Sequence, residues 1–352
     1  MSDENARDPV HSSRAGDISR REFLRRSAST AGAMAAAAAG GHLLGGAGRL
    51  LAQDEPATAT AAGAAGIAGP ARKSRVVVIT HPEAILRDYD ANRPVLDQMI
   101  ERAVRELTGA DSPEKAWQKV ATAGDRVSMK ITRAGGPLLR THDEIPAYVA
   151  RRLAEAAGVD KDRIRAWDRT DLAGADLELS DPCTLPSRKK ETRLRAALVK
   201  DVTAIINLPV LKMHSGTGAS IAMKNHFGSI NNPSAFHGWA HGEMWKSIAE
   251  LNALEPIRTR ARLIIVDATR PLFNGGPRDN PEYRWTFGGL IVGTDPVAVE
   301  RVGLDILDKK REEHQGKPWP ATDGRKVVDW AEHIGLGHAK LNHIDLVRIA
   351  LD

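Results

Sequence analysis

Short β-branched runs alternate along the chain with longer stretches in which apolar residues recur at every third or fourth position. That alternation is the pattern of a parallel sheet with covering helices. Residues 75–80 (RVVVIT), 126–131, 163–167, 202–208, 262–267, 290–293 and 345–350 are the predicted strands. Between them, residues 94–107 set Leu96, Ile100, Ala103, Val104 and Leu107 on one helical face. Ser112 before Pro113 reads as a cap opening a second helix, with Trp117 and Val120 turned inward. Residues 145–157 and 191–199 repeat the periodicity, and Asp295-Pro296 opens a helix reaching about residue 310. The predicted architecture is α/β: one doubly wound, mostly parallel sheet with a loop-rich insertion around residues 230–290. Ligands of such sheets bind beyond the carboxyl ends of the strands, so the polar segments following the strands carry the candidate chemistry.

The first 72 residues break this pattern. Ser19-Arg20-Arg21-Glu22-Phe23-Leu24-Arg25 precedes an uncharged Ala/Gly/Leu stretch over residues 31–48, and the combination resembles a twin-arginine export signal. Gly40, Gly41, Gly45, Gly46 and Gly48 make that stretch a poor helix, too weakly apolar for a stable membrane anchor. The expectation is a signal peptide over residues 1–52, a flexible linker over 53–72 and one folded domain over 73–352. Cleavage after Ala52 fits, as do the A-x-A sites at residues 57–59 and 59–61. A periplasmic or otherwise exported location follows, with the twin-arginine translocase as the partner during export.

Charge and cysteine content narrow the classes. The 352 residues carry 50 Lys+Arg against 45 Asp+Glu, a formal net charge of +5. Removing residues 1–52 takes away seven basic and five acidic residues and leaves +3, so the case for a nucleic-acid partner falls away. The single cysteine, Cys183, excludes an intrachain disulfide and any iron–sulfur cluster held by several thiolates of this chain. Any metal then rests on His, Asp or Glu. Cys183 itself reads as an incidental thiol rather than a nucleophile.

The strand at 202–208 runs into Pro209 and then Lys212, His214, Ser215, Gly216, Thr217 and Gly218, followed by a helical stretch with Lys224 and Asn225. A glycine-bearing loop with hydroxyls and two lysines holds the parts of an anion site. The segment carries neither phosphate-loop nor dinucleotide fingerprint, and a tight turn with solvated lysines is the simpler reading. Lys130, at the end of a predicted strand, completes a candidate cationic pocket. His214, His226, His237 and His241, with Asp267 and Asp295 after later strands, form a candidate set for a divalent metal. Histidines bonded to backbone groups of a long loop are the alternative. Asp267 also reads as a turn residue, and Asp295 as the cap ahead of Pro296. Gly275-Gly276-Pro277 makes a turn or lets the backbone approach a ligand closely. Ser215 beside His214 lacks the G-x-S-x-G context of a hydrolase elbow. Trp239, Trp245 and Trp285 wall a pocket or pack the inserted loops.

Three segments carry a family resemblance: NLPVLKMHSGTGASIAMKNHFGSINNP (207–233), LIIVDATRPLFNGGP (263–277) and GTDPVAVE (293–300). Together they resemble the domain-of-unknown-function 362 family (DUF362), across roughly residues 75–350. The residues matching its pattern are Asn207, Pro209, Lys212, His214, Lys224, Asn225, Gly228, Asp267, Gly275, Gly276, Pro277, Asp295 and Pro296. Thr132 stands where relatives often carry Asn, and Glu300 where Asp is usual. Many relatives append ferredoxin-type cysteine motifs, which this chain lacks. The resemblance implies a site without naming a reaction or a cofactor.

Three functions follow as expectations. The first is binding of a small anionic molecule or cofactor at Lys212, His214, Lys224 and Asn225, with Lys130, Ser215, Gly216, Thr217, Gly218, Gly275, Gly276 and Asp295 lining the site. His214 would act as acid or base and the lysines as electrostatic stabilisers. The second is a His/Asp-ligated metalloprotein with redox or hydrolytic activity. The third is a non-enzymatic periplasmic binding module.

Overall fold

The computed structural model describes residues 73–87, 90–237 and 243–352. The expected leader and linker, Trp239 and His241 lie outside the described residues.

The strands are β1 (Ser74–Thr80), β2 (Val127–Ile131), β3 (Ile164–Trp167), β4 (Cys183–Leu185), β5 (Lys190–Thr192), β6 (Ala204–Leu208), β7 (Val210–His214), β8 (Gly218–Ser220), β9 (Ala261–Leu272), β10 (Gly289–Gly293) and β11 (Ile344–Ala350). The described helices are α1 (Arg93–Thr108), α2 (Pro113–Gln118), α3 (Glu144–Glu155), α4 (Ala196–Val199), α5 (Ala222–Asn225), α6 (Met244–Ala253), α7 (Glu255–Arg258), α8 (Pro296–Gln315) and α9 (Thr322–His333). The main sheet has the order β11-β1-β10-β9-β6-β2-β3, with β7 and β8 attached beside β9. Along that order every neighbouring pair is parallel except those made by β10, which runs antiparallel to both β1 and β9.

Strand side chains alternate between two apolar layers, as the period of two requires. Val77, Ile79, Met129, Ile206 and Ile265 pack under α1, α2 and α3, while Val76, Val78, Ile205, Ile264 and Val266 pack under α5, α6, α8 and α9. Both faces are therefore covered, and the core lies in two layers with the sheet between them. Ser112 caps α2 by accepting the Lys115 amide at 3.3 Å, and Gly109, at φ 59°, ends α1 in the left-handed conformation that glycine tolerates.

Proline shapes the carboxyl edge. Pro209 has no amide hydrogen to give a ladder, so the chain breaks there between β6 and β7. Its carbonyl still accepts the Asp267 amide at 2.8 Å. The first part of β9 pairs with β6 and the remainder with β7, which is why β9 extends past the expected 262–267. Three further expectations are corrected. The supposed loop-rich insertion contains α6 and α7, whose buried Ile248, Ala249, Leu251 and Ile257 belong to the core. Residues 190–199 split into β5 and the short α4 instead of one helix. The segment after β7 turns back as the β7–β8 hairpin before any helix begins.

Candidate functional site

The carboxyl ends of β2, β3 and β6 lie side by side and deliver Lys130, Asp168 and Asn207 to one buried cluster. Lys130 Nζ donates to the Ile131 carbonyl at 2.6 Å, Asp168 Oδ1 at 2.8 Å and Asn225 Oδ1 at 3.2 Å. All three ammonium hydrogens are thereby engaged. Asn225, from α5, returns its amide to the Lys130 carbonyl at 3.0 Å and to Asn207 Oδ1 at 2.7 Å. Thr132 donates to Asn225 Oδ1 at 3.0 Å, and Asn207 donates to the Ala222 carbonyl at 2.7 Å. Burial works against a charge on Asp168, but Lys130 and the amides of Arg133 and Arg169 prevail and hold its carboxyl below the usual range. A Cβ at Gly228 would come within 2.9 Å of both Asp168 Oδ1 and Lys130 Nζ, so glycine lets this ion pair close.

Above the cluster sit two more buried lysines in a different condition. Lys212, on β7, donates to the Ala134 carbonyl. Lys224, on α5, has its Nζ 3.1 Å from His237 Nε2 and lies over the Phe227 ring. Neither ammonium has a carboxylate within 4.0 Å among the described residues. Burial pulls Lys212 down to about 8, and burial together with repulsion from Lys212 pulls Lys224 down to about 7.

The histidines beside them are neutral at pH 7. His237 Nδ1 lies 2.7 Å from the Pro233 carbonyl; a carbonyl only accepts, so Nδ1 carries the proton and Nε2 is left to accept from Lys224. His214 Nδ1 accepts the Gly216 amide at 3.1 Å, which leaves the proton on Nε2. Burial, then Lys224 and His237, lower His214 to about 3. The two rings stand 6.1 Å apart. Burial likewise lowers His226 to about 3, and its Nδ1 has no hydrogen-bond partner.

The glycine loop does not present a cradle of open amides. The Ser215 amide donates to the Gly276 carbonyl at 3.2 Å, the Thr217 amide to the His214 carbonyl at 3.1 Å, and the Thr217 hydroxyl to the Ala219 carbonyl at 2.8 Å. With the Gly216 amide on His214, these groups close a tight β7–β8 turn, but its lysines are buried instead of solvated. Gly218, at φ 72°, packs against Gly324. Gly276 meets the β7 backbone so closely that an added Cβ would collide with the Met213 carbonyl, while Gly275 takes φ 72°. The Gly275–Pro277 loop and the Ala134–Gly135 loop thus wall Lys212 from two sides.

Other candidates are placed elsewhere. Asp267 accepts from the His142 amide at 3.0 Å, His142 Nδ1 at 2.7 Å and the Thr269 hydroxyl at 2.7 Å. Although burial opposes it, His142 holds the Asp267 carboxyl down to about 2. Asp295 caps α8, accepting the Val297 and Ala298 amides at 2.8 and 3.1 Å, and its other oxygen takes the Ser74 hydroxyl at 2.6 Å and the His338 amide at 2.9 Å. Because β10 is antiparallel, its end lies at the opposite rim of the sheet from Lys212 and Lys224. Among the described residues, His214, His226, His237 and Asp267 do not enter any group of three metal-competent ligand atoms within 4.8 Å of one another. Trp245 and Trp285 meet Trp330 and Phe273 edge to face, as packing elements. The partly exposed Cys183 belongs to the β4–β5 hairpin.

Sequence reading passed over Asp168, His142 and the contacts of Glu300. The carboxyl-end rule could have found Asp168, directly after β3. Glu300, which the resemblance marks as a departure, accepts the Met223 amide at 2.9 Å at the start of α5. Thr132, the other departure, holds Asn225 at the end of the same helix. Both unusual residues therefore touch the four-residue helix that carries Lys224.

This is an α/β protein with a doubly covered, mostly parallel sheet whose carboxyl edge carries buried cations. Residues 146–305 match the family described as a domain of unknown function, DUF362. The match includes both unpaired lysines; Lys130, Thr132 and His142 precede it. No curated protein and no solved structure matches the chain. Its single cysteine accords with the absence of ferredoxin-type motifs, and no helix among the described residues is long and apolar enough to cross a membrane.

Proposed function

We propose that the protein binds a small anionic molecule between Lys212 and Lys224, with Asn225 and His214 at its margin. The observation carrying this reading is the pair of buried ammonium groups without a carboxylate partner, set beside a third lysine that has one. A buried cation is costly unless paired, and Lys130 shows how this fold pairs one it intends to keep. An anion would supply the missing countercharge and hold both lysines protonated. It would also offset the repulsion from Lys224 that adds to burial in keeping His214 neutral, which favours His214 taking up a proton from a bound substrate or returning one. Asn225 is anchored by Lys130 and Asn207, so the helix presenting Lys224 is fixed in position.

The test is calorimetric titration of the purified protein with inorganic phosphate, pyrophosphate and small di- and tricarboxylates. One class should bind, and more weakly as pH rises past about 8, because binding needs the ammonium forms. Replacing both lysines, Lys212→Met and Lys224→Met, should abolish that binding. The same variant should melt no lower than the parent at pH 6: both lysines lose proton affinity on folding, so their charge costs stability below pH 7. Undiminished affinity in the double variant would sink the reading.

We also propose export by the twin-arginine route, supported by Arg20-Arg21 ahead of the uncharged residues 31–48. Residues 1–72 fused to a folded reporter should deliver it across the membrane, and Arg20→Lys with Arg21→Lys should stop delivery. Equal export by both fusions would refute the proposal.

A further inference from the structure

At the rim of the sheet away from the lysines, Glu332, His338 and His343 place one ligand atom each within 4.8 Å of one another. We propose that these three residues bind a divalent transition metal, with zinc the best match. Two imidazoles and a carboxylate are donors that suit zinc, and three protein ligands leave a fourth position for water. The inference stands apart from the anion reading, since it uses different residues at the opposite rim.

Each donor comes from a fixed piece of backbone. Glu332 lies in the last turn of α9, and its Oε1 accepts the Ala339 amide at 3.0 Å. That bond aims the carboxylate at the loop carrying His338 and leaves Oε2 available. His338 is held by its own amide on Asp295 Oδ2 at 2.9 Å. His343 closes the single turn Leu341–His343 that leads into β11, its amide on the Lys340 carbonyl at 2.9 Å. The two rings stand 5.4 Å apart at 75°, so they are not stacked, and no hydrogen bond among the described residues engages either ring. Nor does Glu332 have a Lys or Arg within 4.0 Å among the described residues, so no internal cation competes for its charge.

A tetrahedral ion about 2.1 Å from each donor sets them roughly 3.4 Å apart. The donor atoms already lie within 4.8 Å of one another, so binding requires them to draw in by about 1 Å. The three ligands come from a helix end, a loop and a strand start, so a bound metal would clip the last helix to the last strand. This gives the Asp295 carboxylate, which caps α8, a second task, because it orients the loop that presents His338.

The experiment uses untagged full-length protein stripped with a chelator and dialysed. Zinc titration by calorimetry should show one equivalent per chain, and cobalt substitution should give the visible bands of a tetrahedral site. Zinc should raise the melting temperature of the parent. His338→Ala with His343→Ala should lose the equivalent, the bands and the shift, and the milder Glu332→Gln should weaken binding at least tenfold if the double variant folds poorly. His214→Ala with His237→Ala should keep all three signals. Absence of stoichiometric zinc in the parent, or its loss in the His214/His237 variant with retention in the His338/His343 variant, would overturn the proposal.

Discussion

Single residues decide which buried charges the fold can bear. Lys130 is engaged on three sides, while Lys212 and Lys224 each have one neutral acceptor, and the proposed anion site rests on that difference. Asp267 belongs with Lys130. Its folded carboxyl titrates at about 2 against an ordinary 3.8, so its contribution is complete above about pH 4 and is lost as pH falls toward 2. The linkage is on the order of 2 kcal/mol. His142 shifts upward, burial being outweighed by Asp267, so its share is present at low pH and fades as pH rises through its folded value. Asp267→Asn should lower stability at pH 7 by about 3 kcal/mol, as when a buried pair loses one member. Denaturant melts across pH 2–7 should also show a shallower acid limb, and an unchanged pH profile would refute the assignment.

At the scale of elements, what the sequence reveals depends on how local the cause is. β-branched runs flanked by turns identify β1, β2, β3, β6, β10 and β11 to within two residues, and the Ser112 and Asp295 caps mark two helix starts because a cap acts within three positions. Pro209 hides β7, since an apolar run after proline resembles a loop until β9 is seen to extend alongside it. The lysine site is legible as a motif in Lys212, Lys224 and Asn225. Its supports are not, because Lys130 reaches Asp168 across 38 positions and Asn225 across 95. Asp295 illustrates the strongest limit. Its role as a cap can be read locally, but its rim of the sheet depends on the direction of β10, which pairing with β1 and β9 fixes.

For the whole molecule, the sheet places its two polar regions at opposite rims with the apolar layers between them. The lysine pair gathers at the carboxyl edge from β7 and α5, and the Glu332–His338–His343 cluster gathers where α9 gives way to β11. Changes at one rim should therefore leave the other intact, and the separate variant pairs above depend on that independence. The arrangement also reconciles the small net charge with the candidate chemistry: the cations that matter are few and buried, and they contribute nothing to a basic surface.

The pairing of β1 with β11 carries one more consequence, in time rather than space. Arg75 and Asp345 form an ion pair across 270 positions, so the first strand of the sheet waits for the last. β1 keeps an open side until residues 344–350 have been made to pair with it. Closing the sheet thus depends on distant contacts, which slows folding and prolongs exposure of β1 to chaperones. Ending the chain at residue 343 should leave the protein aggregation-prone with β1 as a bare edge, and adding a peptide of residues 344–352 in trans should recover soluble protein. A soluble, cooperatively melting truncation would show that the sheet does not need its last strand.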